Sequence, residues 1–155
     1  MIDKSSFDTD FNTEEVHDQA MLLSQEAFMC IVHGKEAEAI PLYEQAFELE
    51  RQAALSLLNR DDIEPTRSIL FRSAAAIAKK CHKYRDSEKM IGYGLAGNPP
   101  DYVAEQMREI YDDIREFLSP KNKRKALPKK TLKKSSEVSL DTSPKIVKEK
   151  AVLSV

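Results

Sequence analysis

Apolar side chains recur at steps of three and four residues in five separate stretches between residues 13 and 118. An α-helix has about 3.6 residues per turn, so this spacing places the apolar side chains of each stretch on one helical face. Glycines, prolines or short polar segments separate the stretches. The pattern predicts an all-α fold of about five helices, each burying one face against its neighbours.

Local signals predict the limits of the first two helices. Asn12 is suited to cap the first helix, and Gly34 ends it. The second helix falls within residues 36–59 and contains Pro41, which lacks the backbone N–H that a helix interior needs. We therefore predict that this helix starts late, near residues 37–38, so that Pro41 stays in the first turn.

Three more helices follow along the chain. Pro65 is typical of the first turn of a helix and begins the third. The fourth is predicted at residues 85–96, with Gly97 as its stop. Residues 98–101 combine a capping asparagine, two prolines and an acidic residue, which predicts the start of a fifth helix that ends before Pro120.

Charge is distributed unevenly along the chain. The first 118 residues hold 13 Lys/Arg and 23 Asp/Glu, a net charge of −10, whereas residues 119–155 hold eleven Lys/Arg and three Asp/Glu, a net charge of +8. The second segment has few apolar residues to offset an ordering cost of about 1–2 kcal/mol per residue. We predict a flexible N-terminus at residues 1–12, a helical domain at residues 13–118 and a disordered basic tail at residues 119–155.

The sequence contains no familiar catalytic or metal-binding motif. It has no Gly-x-Ser-x-Gly, no glycine-rich phosphate loop and no His-Glu-x-x-His, and its carboxylates are spread over helix faces. Cys30, His33, Cys81 and His82 are of the types that bind zinc. However, adjacent residues point about 100° apart on a helix, and no Cys-x-x-Cys occurs. We predict no enzyme activity, no cofactor and no metal, with both cysteines as buried thiols.

Targeting signals are also lacking from the sequence. The opening residues hold no apolar run typical of a signal peptide. No stretch approaches the roughly 20 apolar residues of a membrane-spanning helix. We therefore expect a cytoplasmic protein that makes no membrane contact.

An internal repeat predicts the arrangement of the helices. The first copy has a turn glycine, a small residue, an aromatic residue and a second small residue, at Gly34, Ala39, Tyr43 and Ala46. A looser copy consists of Tyr84, Ser87, Ile91, Gly94 and Pro99, and the preceding helices carry matching large and small residues, Leu23 with Ala27 and Phe71 with Ala75. Over residues 20–99 the chain resembles tetratricopeptide-repeat proteins. The resemblance implies two antiparallel helical hairpins and a concave surface for a protein or peptide, with the fifth helix covering the exposed end of the stack.

A second resemblance rests on three short strings. They are Glu64-Pro65-Thr66-Arg67-Ser68, Phe71-Arg72-Ser73-Ala74-Ala75 and Gly97-Asn98-Pro99-Pro100. They look like a group of short bacterial proteins, particularly from cyanobacteria. This resemblance implies a bacterial origin and no particular activity.

The tetratricopeptide resemblance also implies which side chains face the concave wall. These are Met21, Ser24, Phe28 and Ile31 from the first helix, and Ile69, Arg72, Ala76, Lys79 and Lys80 from the third. We predict that a partner is bound by Phe28, Arg67, Arg72, Lys79 and Lys80, because an aromatic ring fills a pocket while cations hold carboxylates. The alternative is that Arg67 and Arg72 pair with Glu64, Asp61 or the acidic fifth helix, and that Lys79 and Lys80 are merely exposed.

The basic tail allows several partners. Its first cations are Lys121, Lys123, Arg124, Lys125, Lys129 and Lys130. They would bind nucleic acid weakly through phosphates, since no aromatic residue beyond Phe117 is present to stack on bases. Alternatively, the tail lies over the acidic domain or binds an acidic protein. The sequence thus favours a protein-interaction adaptor, with an accessory nucleic-acid binder or an antitoxin-like regulatory subunit as alternatives.

Overall fold

A computed structural model of the chain describes residues 12–120. Five α-helices account for most of this part, and it contains no strand. The helices are α1 (Thr13–Val32), α2 (Glu36–Ser56), α3 (Thr66–Lys80), α4 (Tyr84–Ala96) and α5 (Asp101–Leu118), with a 3₁₀ turn at Asp61–Ile63. The prediction of an all-α fold of five helices is confirmed.

The helices form two hairpins and a terminal helix. α1 packs on α2 across a tight turn in which Gly34 has a φ of 74°, a backbone conformation that favours glycine. α3 packs on α4 across a similar turn, and α2 packs on α3 to join the two hairpins. α5 packs on both α4 and α3, so it covers one end of the stack.

Small side chains allow the helices to approach closely. The alanines at 20, 27, 39, 46 and 53 of the first hairpin and at 74, 75 and 78 of α3 are all inaccessible to solvent. The bulk of the core comes from the larger residues Phe47, Phe71, Met107 and Ile114. At Gly94 an added Cβ would lie 2.5 Å from the sulfur of Met107 and 3.0 Å from the Cβ of Phe71, so a larger residue there requires these side chains to shift.

Capping follows the sequence at α1 but not at α2. The side chain of Asn12 accepts a hydrogen bond from the backbone N–H of Glu15, which confirms the predicted cap. The prediction of a late start for α2 is wrong, because the helix begins at Glu36 and Pro41 lies in its second turn. Pro41 and Ala37, whose carbonyl loses its helical partner, are both exposed, so water can hydrate that carbonyl.

The predictions on membrane spans and on the two terminal segments can also be compared with the structure. Within residues 12–120, no helix is both long and apolar enough to cross a membrane. The flexible N-terminal segment and the disordered basic tail were predicted for positions that lie almost entirely outside the described residues.

Candidate partner-binding groove

α1 and α3 begin at a common pocket. This pocket has a volume of about 560 Å³ and is lined by the first turns of both helices, with His17 on α1 and Thr66 and Leu70 on α3. Leu57, at the end of α2, also lines it. Both helices pack on α2, and each extends away from this pocket.

Phe28 on α1 and Lys80 on α3 lie at similar distances from the pocket, measured along their helices. Phe28 is eleven residues beyond His17 and Lys80 is ten residues beyond Leu70. At about 1.5 Å per residue these steps are roughly 16 Å and 15 Å, so Phe28 and Lys80 flank the same end of the space between the two helices. We call this space the α1–α3 groove and define it by Phe28 and Ile31 on α1 and by Arg72, Lys79 and Lys80 on α3.

The α1 side of the groove presents apolar side chains to solvent. Phe28 is 54% exposed, and Ile31 is also exposed. The exposed apolar surface continues round the helix through Leu22, Met29 and Val32. Phe28 is three positions from Ile31 and four from Val32, so these exposed side chains lie on one side of α1.

The α3 side of the groove holds unpaired cations. Within residues 12–120, every Lys and Arg has a carboxylate oxygen within 4.0 Å except Arg72 and Lys80. Arg72 has only a longer-range interaction, with Glu50. Both cations without an ion pair in this part of the chain are therefore residues of α3.

Lys79 and Lys80 differ although they are adjacent. The ammonium of Lys79 donates a 2.6 Å hydrogen bond to the carboxylate of Asp113 on α5, which ties α3 to the acidic fifth helix. The ammonium of Lys80 instead lies 5.1 Å from the centre of the Tyr43 ring. Burial, and then the charge of Lys79, lower the pKa of Lys80.

Arg67 belongs to the interior and not to the groove. It is 2% exposed, and its guanidinium donates to the carbonyls of Leu58 and Tyr93 and to the carboxylate of Glu64. The Asp61 carboxylate lies 3.5 Å from Nε. Arg67 therefore pairs with Glu64 and Asp61, as in the alternative that the sequence left open. Its side chain is too buried to contact a partner.

A buried carboxylate on α2 was not anticipated from the sequence. Glu50 is inaccessible to solvent, and its Oε2 lies 2.8 Å from Nδ1 of His17 on α1. Burial raises the pKa of Glu50, and this effect is opposed by His17, by the hydroxyl of Ser73 and by the charge of Arg72. The sequence does contain an indication of this burial, because Glu50 follows Tyr43 and Phe47 at the spacing of the buried face of α2.

Three side-chain polar atoms, one on each of α1, α2 and α3, are buried without a hydrogen-bond partner. They are Ser24 Oγ, Glu50 Oε1 and Arg72 Nε, and no other side-chain N or O atom of the described residues is in this state. Each sits on a different helix. A buried polar atom without a partner costs about 1–3 kcal/mol, so these three atoms reduce the stability of the fold.

The cysteines and histidines singled out in the sequence form no metal site among the residues that the structure describes. Cys81 is buried, and burial raises its pKa, while Cys30 is only partly buried. Among the residues that the structure describes, no three His, Cys, Asp or Glu side chains are grouped for a metal ion. The tail residues Lys121, Lys123, Arg124, Lys125, Lys129 and Lys130 lie outside this part of the chain.

Comparison with known proteins gives no relative from which a function could be transferred. No protein-family model matches the chain, and neither a curated protein nor a solved structure matches it. The fold is therefore described on its own geometry, as five helices in two hairpins and a covering helix.

Proposed function

We propose that this protein is a protein-interaction module, and not an enzyme, that holds a segment of a partner in the α1–α3 groove. The observation that carries the proposal is that Arg72 and Lys80 have no ion pair, whereas every other Lys and Arg within residues 12–120 has one. Lys80 lies about as far along α3 as the exposed Phe28 lies along α1, and Arg72 lies nearer the pocket, so the groove offers one bound segment an apolar contact and two cations.

The preferred segment has apolar and acidic side chains. A large apolar residue would cover Phe28 and Ile31, which are exposed in the free protein. A carboxylate would pair with Lys80, whose pKa is lowered because burial and Lys79 disfavour its charge. The partner's carboxylate would stabilise the charged form of Lys80 and accept a charge-assisted hydrogen bond from its ammonium.

The order of the helices supports this use of the groove. Tetratricopeptide-like repeats line a concave wall with the first helix of each hairpin, and here those helices are α1 and α3. The turn glycine at position 34 and the buried small residues Ala39, Ala46 and Ser87 agree with that repeat. We therefore extend the proposal to a tetratricopeptide-like binding mode.

Fluorescence anisotropy with helical peptides of defined sequence tests the proposal. Three labelled peptides share one apolar face and differ in their flanking residues, which are acidic, basic or neutral. We expect the acidic peptide to bind most tightly, and Lys80→Glu to weaken it about tenfold. Lys89→Glu is the matched control, because Lys89 is an exposed lysine of α4 that already pairs with Asp86.

A second pair of variants tests the apolar side. Phe28→Ser should weaken the acidic peptide, whereas Leu22→Ser should not, since the two residues point about 120° apart on α1. Leu22 is 67% exposed, so both substitutions remove an exposed apolar side chain. Preference for the basic peptide, or equal effects of the paired variants, would overturn the proposal. If only a single-stranded DNA probe bound, and Lys80→Glu left that binding unchanged, the basic tail would be the interaction site instead.

A further inference from the structure

The pocket where α1 and α3 begin combines apolar walls with the imidazole of His17, whose orientation is fixed by Glu50. Its apolar residues are Leu57, Ile63 and Leu70, which come from three different segments. Its volume of about 560 Å³ lies within the range typical of small-molecule sites. The walls therefore suit an apolar body of modest size.

His17 gives this pocket a directed polar atom. Its Nδ1 is engaged by the buried carboxylate of Glu50 at 2.8 Å, and its side chain is still 29% exposed. The two nitrogens of an imidazole point to nearly opposite sides of the ring, so Nε2 faces away from Glu50. No described residue makes a hydrogen bond to Nε2. A carboxylate behind a histidine fixes the ring's orientation and leaves one nitrogen for a ligand.

The charges around the pocket favour a positively charged ligand. Among the described residues that line it, Glu14 is acidic and none is Lys or Arg. The Glu50 carboxylate lies directly behind His17. Arg72 lies near Glu50 but does not line the pocket. When Nδ1 of His17 donates its proton to the Glu50 carboxylate, Nε2 is a hydrogen-bond acceptor, so a ligand cation would meet that acceptor and the Glu14 carboxylate. An anion would meet the Glu14 carboxylate and no cation.

We propose that the pocket binds a small apolar molecule carrying a primary ammonium group. The ammonium donates to Nε2 of His17 and pairs with the Glu14 carboxylate, and the apolar body packs on Leu57, Ile63 and Leu70. This binding site does not depend on the α1–α3 groove defined above, since it shares none of its residues.

Three probes of nearly equal shape test the chemistry of the ligand. They are phenethylamine, 2-phenylethanol and 3-phenylpropanoate, each titrated into the full-length ¹⁵N- and methyl-labelled protein and followed by NMR. We expect phenethylamine to bind most tightly and to shift the methyl signals of Ile63 and Leu70. Tighter or equal binding of 3-phenylpropanoate would overturn the proposal, as would the absence of any shift at these methyls.

Variants test which side chains hold the ammonium. His17→Phe keeps a ring but removes Nε2, and it should weaken phenethylamine about tenfold, the factor expected for a lost hydrogen bond to a charged group. Glu14→Gln should weaken it about threefold, in line with a partly exposed ion pair. Glu15→Gln is the matched control, because Glu15 is the next residue on α1, is exposed and does not line the pocket.

One variant covers the case in which His17→Phe disturbs the fold by leaving Glu50 unpaired. Thr66→Trp places a large side chain at the exposed edge of the pocket and leaves the buried pair of His17 and Glu50 intact. It should abolish phenethylamine binding while the melting temperature changes little. If phenethylamine binds Thr66→Trp, Glu14→Gln and the wild type equally, the ligand occupies another place and the proposal fails.

Discussion

Nδ1 of His17 lies 2.8 Å from the carboxylate of Glu50, a contact that joins α1 to α2 across 33 positions of the chain. Glu50 is the only carboxylate within residues 12–120 that is inaccessible to solvent. Its second oxygen has no hydrogen-bond partner there. The pair therefore joins two helices but also requires a carboxylate to be buried. Its net effect on stability depends on pH.

We expect Glu50→Gln to change how stability depends on pH. Burial raises the pKa of Glu50, so the folded protein binds this proton more tightly than the unfolded chain does. The wild type should then lose stability as the pH rises from below the ordinary value of 4.5 through the raised pKa. Glutamine has no such charge to bury. The unfolding free energy of Glu50→Gln relative to that of the wild type should therefore increase by about 1–3 kcal/mol over that pH range.

Urea unfolding at several pH values measures this effect. The difference in unfolding free energy between Glu50→Gln and the wild type should grow as the pH increases. Glu26→Gln, at an exposed position on α1, is the control and should show no such trend. A difference that shrinks with rising pH would mean that the ion pair with His17 outweighs the cost of burial.

Arg67→Ala should be among the most destabilising single substitutions in the helical domain. It would remove the Arg67 donor from the carbonyls of Leu58 and Tyr93 and from Oε1 of the mostly buried Glu64. Breaking a buried pair of this kind costs about 3–5 kcal/mol. Arg108→Ala removes an exposed pair with Glu105 and should cost well under 1 kcal/mol in the same denaturation experiment.

Two glycines of α4 provide an internal comparison. Gly94→Ala would drive a methyl group against Met107 and Phe71 and should cost about 1–3 kcal/mol by overpacking. Gly92→Ala meets nothing within 4 Å and should instead stabilise the helix by about 0.5–1 kcal/mol. Thermal unfolding of the two variants should therefore shift in opposite directions. Shifts of the same sign would mean that the packing around Gly94 can relax.

Pro41→Ala should stabilise the protein. Pro41 lies in the second turn of α2, where it prevents a hydrogen bond to the carbonyl of Ala37. An alanine would restore that bond and has a helix propensity about 3 kcal/mol more favourable than that of proline. Because Ala37 and Pro41 are exposed, water can hydrate the free carbonyl, and we therefore expect a smaller gain, about 1–2 kcal/mol, in chemical denaturation. No gain would show that the helix bends round Pro41 without loss.

The helices were predictable from the sequence because their signals are local. The cap at Asn12, the prolines before Asp101 and the clean apolar stripe of α5 each lie within one helix. The roles of Glu50 and Arg67 were not predictable in this way, because each depends on partners that another helix supplies. The pocket at the start of α1 and α3 is likewise a product of packing, since its residues span positions 12–70.

Part of the candidate groove could also be foreseen. The repeat-like spacing predicted that α1 and α3 are the first helices of two hairpins, and the structure has this order. It could not show which cations on α3 are already paired, because Lys79 meets Asp113 across the stack. That distinction between Lys79 and Lys80 requires the tertiary arrangement.

The buried alanines of α1 and α2 restrict how the protein can evolve. Ala20, Ala27, Ala39 and Ala46 are inaccessible to solvent, so a larger side chain at any of them would require the neighbouring side chains or helices to shift. A shift of α1 would move both His17 and Phe28, and would therefore change both the pocket and the groove. The spacing of two separate surfaces is thus set by a few methyl groups that neither surface contains, and drift at those four positions would alter both at once.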